Sequence, residues 1–311
     1  MKKTIYFGGD ISYKNLILGS LKKYDLVESI ELNRNVDIIY WVYGGGPQLI
    51  KYIYYWLNPQ KIIIIHWIGT DVLTWYQKIR QGKTKSKLYY GLWSFINIMK
   101  SRMGKCINIS GSEWLKHELH ELKIKSIVIP ITSINSRALE FIDNTPTKIY
   151  DFITYVPYNR FDFYGGDKVL KFARKMPNKK FLMIFPDISN INELKIDLPA
   201  SIEVSAKIGF KEMQTLISQS KCFLRFTIHD GLSLSVLEAL MHGIEVIWTH
   251  KFDYCKYVNF SYMRDDEIVN LMENTVKDFA FRKDAHDFVT NTYKDEHIGV
   301  KMEGVFDKFY K

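Results

Sequence analysis

Five short runs in the first 131 residues are apolar almost without interruption: TIYFGG (4–9), DIIYWVYG (37–44), KIIIIHWIG (61–69), CINIS (106–110) and SIVIPI (126–131). A strand with one face in water alternates polar and apolar residues. A strand without that alternation must be covered on both faces. Helical patterns at about 11–22, 47–57, 86–102 and 112–122 lie between the runs and can supply the cover. Alternating strand and helix with both strand faces apolar implies a parallel sheet in a doubly wound α/β domain.

The pattern lapses over SINSRALEFIDNTPTKIY (133–150) and then restarts. Strands are expected in DFITYVP (151–157), KKFLMIF (179–185), SIEVSA (201–206), KCFLRF (221–226) and EVIWT (245–249). Helices are expected at about 166–175, 211–219, after Asp230, and at 266–277 and 283–311. The 311 residues thus read as two Rossmann-like domains, 1–145 and 146–311, with the last helix crossing back to the first. Ligands of such sheets sit beyond the carboxyl ends of the strands, so a central cleft between facing domains is the expected binding place.

Several function classes fall away. Cys106, Cys222 and Cys255 are far apart and form no Cys-x-x-Cys pair, which argues against a zinc module or disulfide framework and fits a reducing compartment. Met1-Lys2-Lys3 leads at once into a strand-like run, so no signal peptide is expected, and KIIIIHWIG is too short to cross a bilayer. Neither the Gly-x-Gly-x-x-Gly fingerprint nor the Walker loop is present, and no Asp-x-Asp pair offers a metal to a sugar diphosphate. His117 and His120 are three apart on one expected helix, but no third ligand accompanies them, so they read as surface residues. The expectation is a cytoplasmic protein with no cofactor and no metal.

Charge is distributed unevenly. Residues 1–150 carry 21 basic and 11 acidic side chains, a net +10, and the remainder 22 and 23, a net −1. Between Asp71 and Glu113, Lys78, Arg80, Lys83, Lys85, Lys87, Lys100, Arg102 and Lys105 meet no acid and are interleaved with aromatic residues. A solvated face beside an amphipathic helix is one reading. An anionic membrane surface met through residues 75–105 is the other, with Trp75 or Trp93 as an apolar foothold and the protein peripheral at the inner face of the membrane. No nucleic-acid-binding motif accompanies the charge, so nucleic acid is not an expected partner.

The stretch HDGLSLSVLEALMHGIEVI places Asp230 before an apolar-periodic helix and Glu238 within it, on a helix expected to start near Leu232. Free N–H groups and the helix dipole favour a phosphate at such a mouth, and carboxylates bind vicinal diols well. A nucleotide-sugar offers a diphosphate flanked by two sugars. The plainer alternative makes Asp230 an N-cap and Glu238 a solvated helix residue.

The stretch resembles the Glu-x7-Glu signature of family 4 glycosyltransferases, the group 1 type, which are retaining and have the GT-B fold. Asp230 stands for the first Glu, Gly231 matches, Leu232 replaces Phe, Ser233 replaces the second Gly, and Glu238-Ala239 matches. HWIGTDV (66–72), NISGSEWLKHEL (108–119), the segment from Tyr155 to Phe185 and Gly8-Gly9 are similar to further family elements, so the resemblance covers most of the chain. It implies that Asp230 contacts the donor sugar and Glu238 the nucleotide ribose. It also implies that Gly8, Gly9, Arg160, Gly231, Leu232 and Ser233 approach the donor diphosphate. The family's second cation is expected where this chain has FYGGDK, which leaves Lys168 for that part. His66 is the polar group expected near the reacting centre, and Asp71 an acceptor contact.

The implied activity is metal-independent, retaining hexosyl transfer from a nucleotide-sugar to a glycan or lipid-linked acceptor. Two alternatives share the architecture: a nucleotide-sugar epimerase, and a non-catalytic accessory subunit, the latter suggested by Asp230 in place of Glu.

Overall fold

The computed structural model describes residues 2–9, 14, 17–18, 21, 24–42, 49–131 and 147–310. They fall into two units, residues 1–133 with 295–311, and residues 134–294. The boundary expected at 145–146 and most of the helix expected at 11–22 lie outside the described residues.

The first unit is built on β1 (Lys3–Gly9), β2 (Leu26–Ser29), β3 (Ile38–Val42), β4 (Ile62–Trp67), β5 (Cys106–Ser110) and β6 (Ser126–Val128). All pairs are parallel, in the order β2-β1-β3-β4-β5-β6. Around them lie α1 (Leu49–Leu57), α2 (Thr70–Arg80), α3 (Thr84–Arg102), α4 (Glu113–Glu121) and the C-terminal helix Asp295–Tyr310. The unbroken apolar run of β4 is explained by its neighbours. Ile62 and Ile64 enter a core with Tyr40, Val42 and the C-terminal helix residues Ile298, Met302, Val305 and Phe306. Ile63, Ile65 and Trp67 enter a second core with residues of α1 to α4.

That second core holds a tryptophan cluster. Trp75 and Trp93 lie 4.2 Å apart between ring centroids, Trp56 and Trp93 4.8 Å, and Trp67 packs edge-on against Trp75 at 5.5 Å. Trp75 and Trp93 are buried, so the foothold expected of them is corrected: both rings fasten α2 and α3 to the sheet. Lys100 also leaves the basic surface. Its buried ammonium donates to the carbonyl oxygens of Tyr55 at 2.6 Å and Asn58 at 2.7 Å, closing the end of α1, and burial pulls its pKa down to about 8.

The second unit has β7 (Tyr150–Tyr155), β8 (Phe181–Ile184), β9 (Ile202–Ser205), β10 (Ser220–Arg225), β11 (Glu245–Trp248) and β12 (Lys256–Tyr257), all parallel, in the order β12-β11-β10-β7-β8-β9. Its helices are α5 (Gly166–Lys175), α6 (Phe210–Ser218), α7 (Leu234–Met241), α8 (Asp265–Lys277) and α9 (Lys283–Thr292), and the C-terminal helix is α10. Phe152, Phe172, Phe181, Met183, Leu224 and Met272 belong to its core.

The single helix expected over 283–311 is two. Ala285 and Val289 are buried on α9 and Tyr293 at its C-cap, whereas Ile298, Met302 and Val305 are buried on α10. Continuing the first stripe at helical spacing misses the second, so one straight helix could not bury both. β2, α2 and β12 were not expected: β2 and β12 are short edge strands, and α2 begins in a stretch whose apolar residues are sparse.

Phe306 is fully buried against β1, β3 and β4, and the Tyr24 hydroxyl lies 2.6 Å from Asp307 Oδ1 on the same helix. Phe306→Ala should therefore destabilise the first unit by about 3–5 kcal/mol. Six of the seven tryptophans belong to that unit, so urea unfolding followed by tryptophan fluorescence reads the loss directly.

Candidate functional site

Strand order locates the site within the second unit. Connections run to opposite sides of β7 and β10, so the crevice of this sheet opens beyond the carboxyl ends of those two strands. The loop after β7 carries a 3-10 turn, Tyr158–Arg160, and the loop after β10 leads through Asp230 to α7. Ile228 N–H donates to the Phe163 carbonyl at 2.9 Å and joins the loops. Gly165 makes their close packing feasible: its φ is +75°, and a Cβ there would sit 2.3 Å from the Phe226 oxygen.

Arg225, the last residue of β10, is the group the sequence reading missed. It is buried, its Nε donates to Asp230 Oδ2 at 2.7 Å, and its guanidinium lies 4.8 Å from the Tyr164 ring centre. Arg160 approaches the same ring at 5.6 Å and stacks over Phe163 at 4.1 Å, so two guanidinium groups flank Tyr164. The signal was present in KCFLRF, where one Arg ends an otherwise apolar strand. Asp187 sets the turn beneath Arg160: its carboxylate accepts from Tyr158 N–H at 2.6 Å and Asn159 N–H at 2.9 Å. Lys168 is engaged locally with Asp167 at 2.7 Å.

Tyr155, at the end of β7, feels the charge of Glu238 as well as of this group. Burial and then Tyr164 raise its pKa, Arg225 acts against the rise, and Asp187 and Glu238 add to it. Glu238 itself is buried, on the second turn of an eight-residue helix that starts two residues later than expected. Burial pushes its carboxyl up to about 7, and Gln214 offsets part of the rise. Buried His242 has its pKa lowered to about 4, chiefly by burial, so it is neutral and its Nε2–H donates to Gln214 Oε1 at 2.8 Å. That bond turns the Gln214 amide nitrogen away from His242; the nitrogen closes no full hydrogen bond of its own.

Neither plain alternative describes these carboxylates. The N-cap of α7 is Ser233, whose side chain makes no cap bond and instead lies 2.9 Å from Ser235 Oγ. The N–H groups of Leu234, Ser235 and Val236, in the first turn, have no carbonyl within the helix to meet. Gly231 and Ser233 are buried in the loop before them and Leu232 is half-buried.

The expected residues of the first unit have internal partners. His66 is buried with its pKa lowered to about 4 by burial. A neutral ring has one N–H, and since a carbonyl can only accept, Nε2–H donates to Ile129 O at 2.9 Å while Nδ1 accepts from the Tyr40 hydroxyl at 2.8 Å. Asp71 is fully buried and its Oδ1 accepts from Gly69 N–H at 2.8 Å and Val72 N–H at 2.9 Å, holding the turn into α2. Gly8 and Gly9 end β1 where β3 runs alongside. A Cβ on Gly8 would sit 2.3 Å from the Trp41 ring, and Gly9 has φ +81°. His117 pairs with Glu121 at 3.7 Å on the surface. Among the described residues no three His, Cys, Asp or Glu side chains gather as a metal group.

No protein-family model matches the chain, and no curated protein sequence matches it. Solved structures do. The chain is similar over 99% of its length to 99% of a sucrose-phosphate synthase from Thermosynechococcus elongatus, at 12% identity and TM-score 0.71. It is similar over 100% of its length to 99% of a glycosyltransferase from Rickettsia africae, at 14% identity and TM-score 0.65. TarM matches 87% of the chain at 14% identity and TM-score 0.59, with the chain spanning 54% of TarM's length. A UDP-N-acetylglucosamine 2-epimerase from Rickettsia bellii matches 99% of the chain and 97% of its own at 9% identity and TM-score 0.56. The fold is GT-B. At these identities the likeness speaks for the fold alone.

The elevated pKa of Glu238 has a signed consequence. The folded state holds this proton more tightly than the unfolded chain between the ordinary value of 4.5 and about 7, so the group's contribution to stability falls as pH rises through that window. The loss above it is roughly 3 kcal/mol. Glu238→Gln should melt higher than the parent protein at about pH 8 and converge with it toward about pH 4.5, as thermal unfolding across pH will show.

Proposed function

We propose that the chain is a retaining family 4 glycosyltransferase that moves a hexose from a nucleotide-sugar to a glycan or lipid-linked acceptor without a metal. The observation that carries this reading is the arrangement at the β7–β10 crevice. Glu238 is buried on a helix whose N-cap side chain makes no cap bond, and Asp230, Arg225, Tyr164 and Arg160 gather in the loops that lead to that helix and to its neighbour. The motif resemblance reaches Asp230, Glu238 and Arg160 independently of the fold.

In this reading the N–H groups at the start of α7 and the Arg160 guanidinium hold the donor diphosphate. They stabilise the charge that gathers there as the bond from sugar carbon to phosphate oxygen breaks. Glu238, ionised, accepts from the ribose hydroxyls. Asp230 faces the donor sugar, and Arg225 fixes the direction of its carboxylate. The resemblance assigns Gly8 and Gly9 to the diphosphate as well. Asp71 and His66 shape the acceptor side through the backbone they hold.

A second reading, nucleotide-sugar epimerisation, draws on His229 and His250, whose rings lie 6.2 Å apart beside the Asp230 loop and offer imidazoles for acid–base work. Incubation with a panel of nucleotide-sugars separates the two. Transfer or slow hydrolysis supports the first, an isomerised sugar the second, and inertness the accessory subunit.

Binding tests the residue roles. Affinity for a nucleoside diphosphate should rise with pH toward about 7 and then level, because hydroxyl donors prefer the ionised carboxylate. Glu238→Gln should weaken it by roughly tenfold or more and flatten the pH dependence, read by calorimetry. Unchanged affinity in that variant removes the ribose assignment.

Arg160→Ala should lower donor affinity, with Arg160→Lys restoring part of it, because only a guanidinium grips two phosphate oxygens at once. Asp230→Asn should lower turnover while nucleotide affinity holds. Asp230→Ala leaves Arg225 buried without its carboxylate and should cost about 3–5 kcal/mol of stability, so melting temperature accompanies each rate.

A further inference from the structure

Helix α3 buries one side and carries apolar residues on the other. Inward, Trp93 joins the tryptophan cluster. Outward, Leu88, Leu92, Phe95, Met99 and, at the C-cap, Met103 are exposed, with Leu88 at 75% and Phe95 at 60%. At 3.6 residues per turn these five positions fall within an arc of roughly 80°, a continuous apolar ridge along the helix. Single exposed apolar groups are ordinary on any protein, but a line of five on one helix marks a surface that meets an apolar phase or a partner.

The charge around the ridge identifies the partner. Lys83, Lys85 and Lys87 are exposed at its first turn, with Lys85 on the arc itself, and Arg102 is exposed at its last. Beside that last turn lies a pocket of about 410 Å³ walled by Arg102, Lys123, Lys125, Ser126, Ile127 and Lys308, with no carboxylate in its lining. Lys123 stands at φ 62°, where the turn after α4 would be unstrained with glycine, yet the residue is a lysine with its side chain exposed. A second copy of the chain docking face to face would set this cationic segment against itself. Nucleic acid would leave the apolar ridge unsatisfied. A bilayer bearing anionic headgroups satisfies both: acyl chains take the ridge, and a headgroup phosphate takes the pocket.

We propose that the first unit docks on an anionic phospholipid surface through α3, with Leu88, Leu92, Phe95, Met99 and Met103 entering the acyl boundary and the Arg102–Lys123–Lys125–Lys308 pocket receiving a headgroup phosphate. This rests on the surface of the first unit and is independent of the transferase reading.

The test is co-sedimentation of the full chain with mixed phosphatidylglycerol–phosphatidylcholine vesicles and with phosphatidylcholine alone. Wild type should bind the anionic vesicles at low salt, release in molar salt and ignore the neutral ones. Leu92→Glu with Phe95→Glu should reduce partition at least about a hundredfold. Lys123→Ala with Lys125→Ala should reduce it about 25-fold, about fivefold for each cation, the equivalent of about 1 kcal/mol apiece. All these side chains are exposed, so melting temperatures should be unchanged, and Phe95→Ser alone repeats the apolar test without an added charge.

Indifference of wild type to anionic vesicles at low salt overturns the proposal, as do variants that bind as well as wild type. A concentration-dependent dimer broken by Phe95→Ser assigns the ridge to a second copy instead. Preferential binding of single-stranded RNA over vesicles, lost with Lys123 and Lys125, assigns the basic face to nucleic acid and likewise overturns it.

Discussion

A parallel strand covered on both faces cannot be followed directly by its neighbour; the chain must cross over the sheet and return. That constraint organises both units here. It accounts for the apolar runs of β3, β4 and β10 and for the helices between them, and it gathers the connecting loops at the carboxyl ends of the strands. Where successive connections part to opposite sides, the loops leave a crevice. In the second unit that place lies between β7 and β10, and the loops that meet there come from distant parts of the sequence.

Charge burial at the crevice takes two different forms. Arg225 and Asp230 are brought in as a pair, bonded at 2.7 Å, and each compensates the desolvation of the other. Glu238 has no cation at hydrogen-bonding distance in its described surroundings, and burial moves its proton affinity to the neutral range instead. A carboxyl poised near pH 7 in a crevice is a group whose ionisation a ligand can complete by donating hydrogen bonds. The paired Asp230 stays oriented whatever the ligand. The two acids eight residues apart are therefore not equivalent, although both come from one short motif.

Helix α3 shows how one element serves two solvents. Its inner face is fastened by aromatic packing, with Trp75 and Trp93 among the rings, and by Lys100 closing the end of α1. That anchoring fixes which side of the helix faces inward and leaves the apolar ridge exposed on the other.

Much of this was legible in the sequence. Periodicity and unbroken apolar runs report how many faces of an element are covered, so ten strands and most helices could be read from KIIIIHWIG and its counterparts, and the motif from Asp230 to Glu238 pointed to one helix mouth. Periodicity does not say what lies across the gap. Trp75, Trp93 and Lys100 read as a basic aromatic surface because a linear pattern cannot tell an inward ring from an outward one; crossover and register turned them into the core and left Leu92 and Phe95 outside. His66 and Asp71 read as site residues, and only the approach of Tyr40, Ile129 and the Gly69 turn gave them internal partners. Arg225, Tyr164 and Asp187 escaped notice for the same reason. The sequence by itself determined which segments must be buried; tertiary structure alone decided which side chains meet, because strand order and loop approach bring together residues that no local spacing relates.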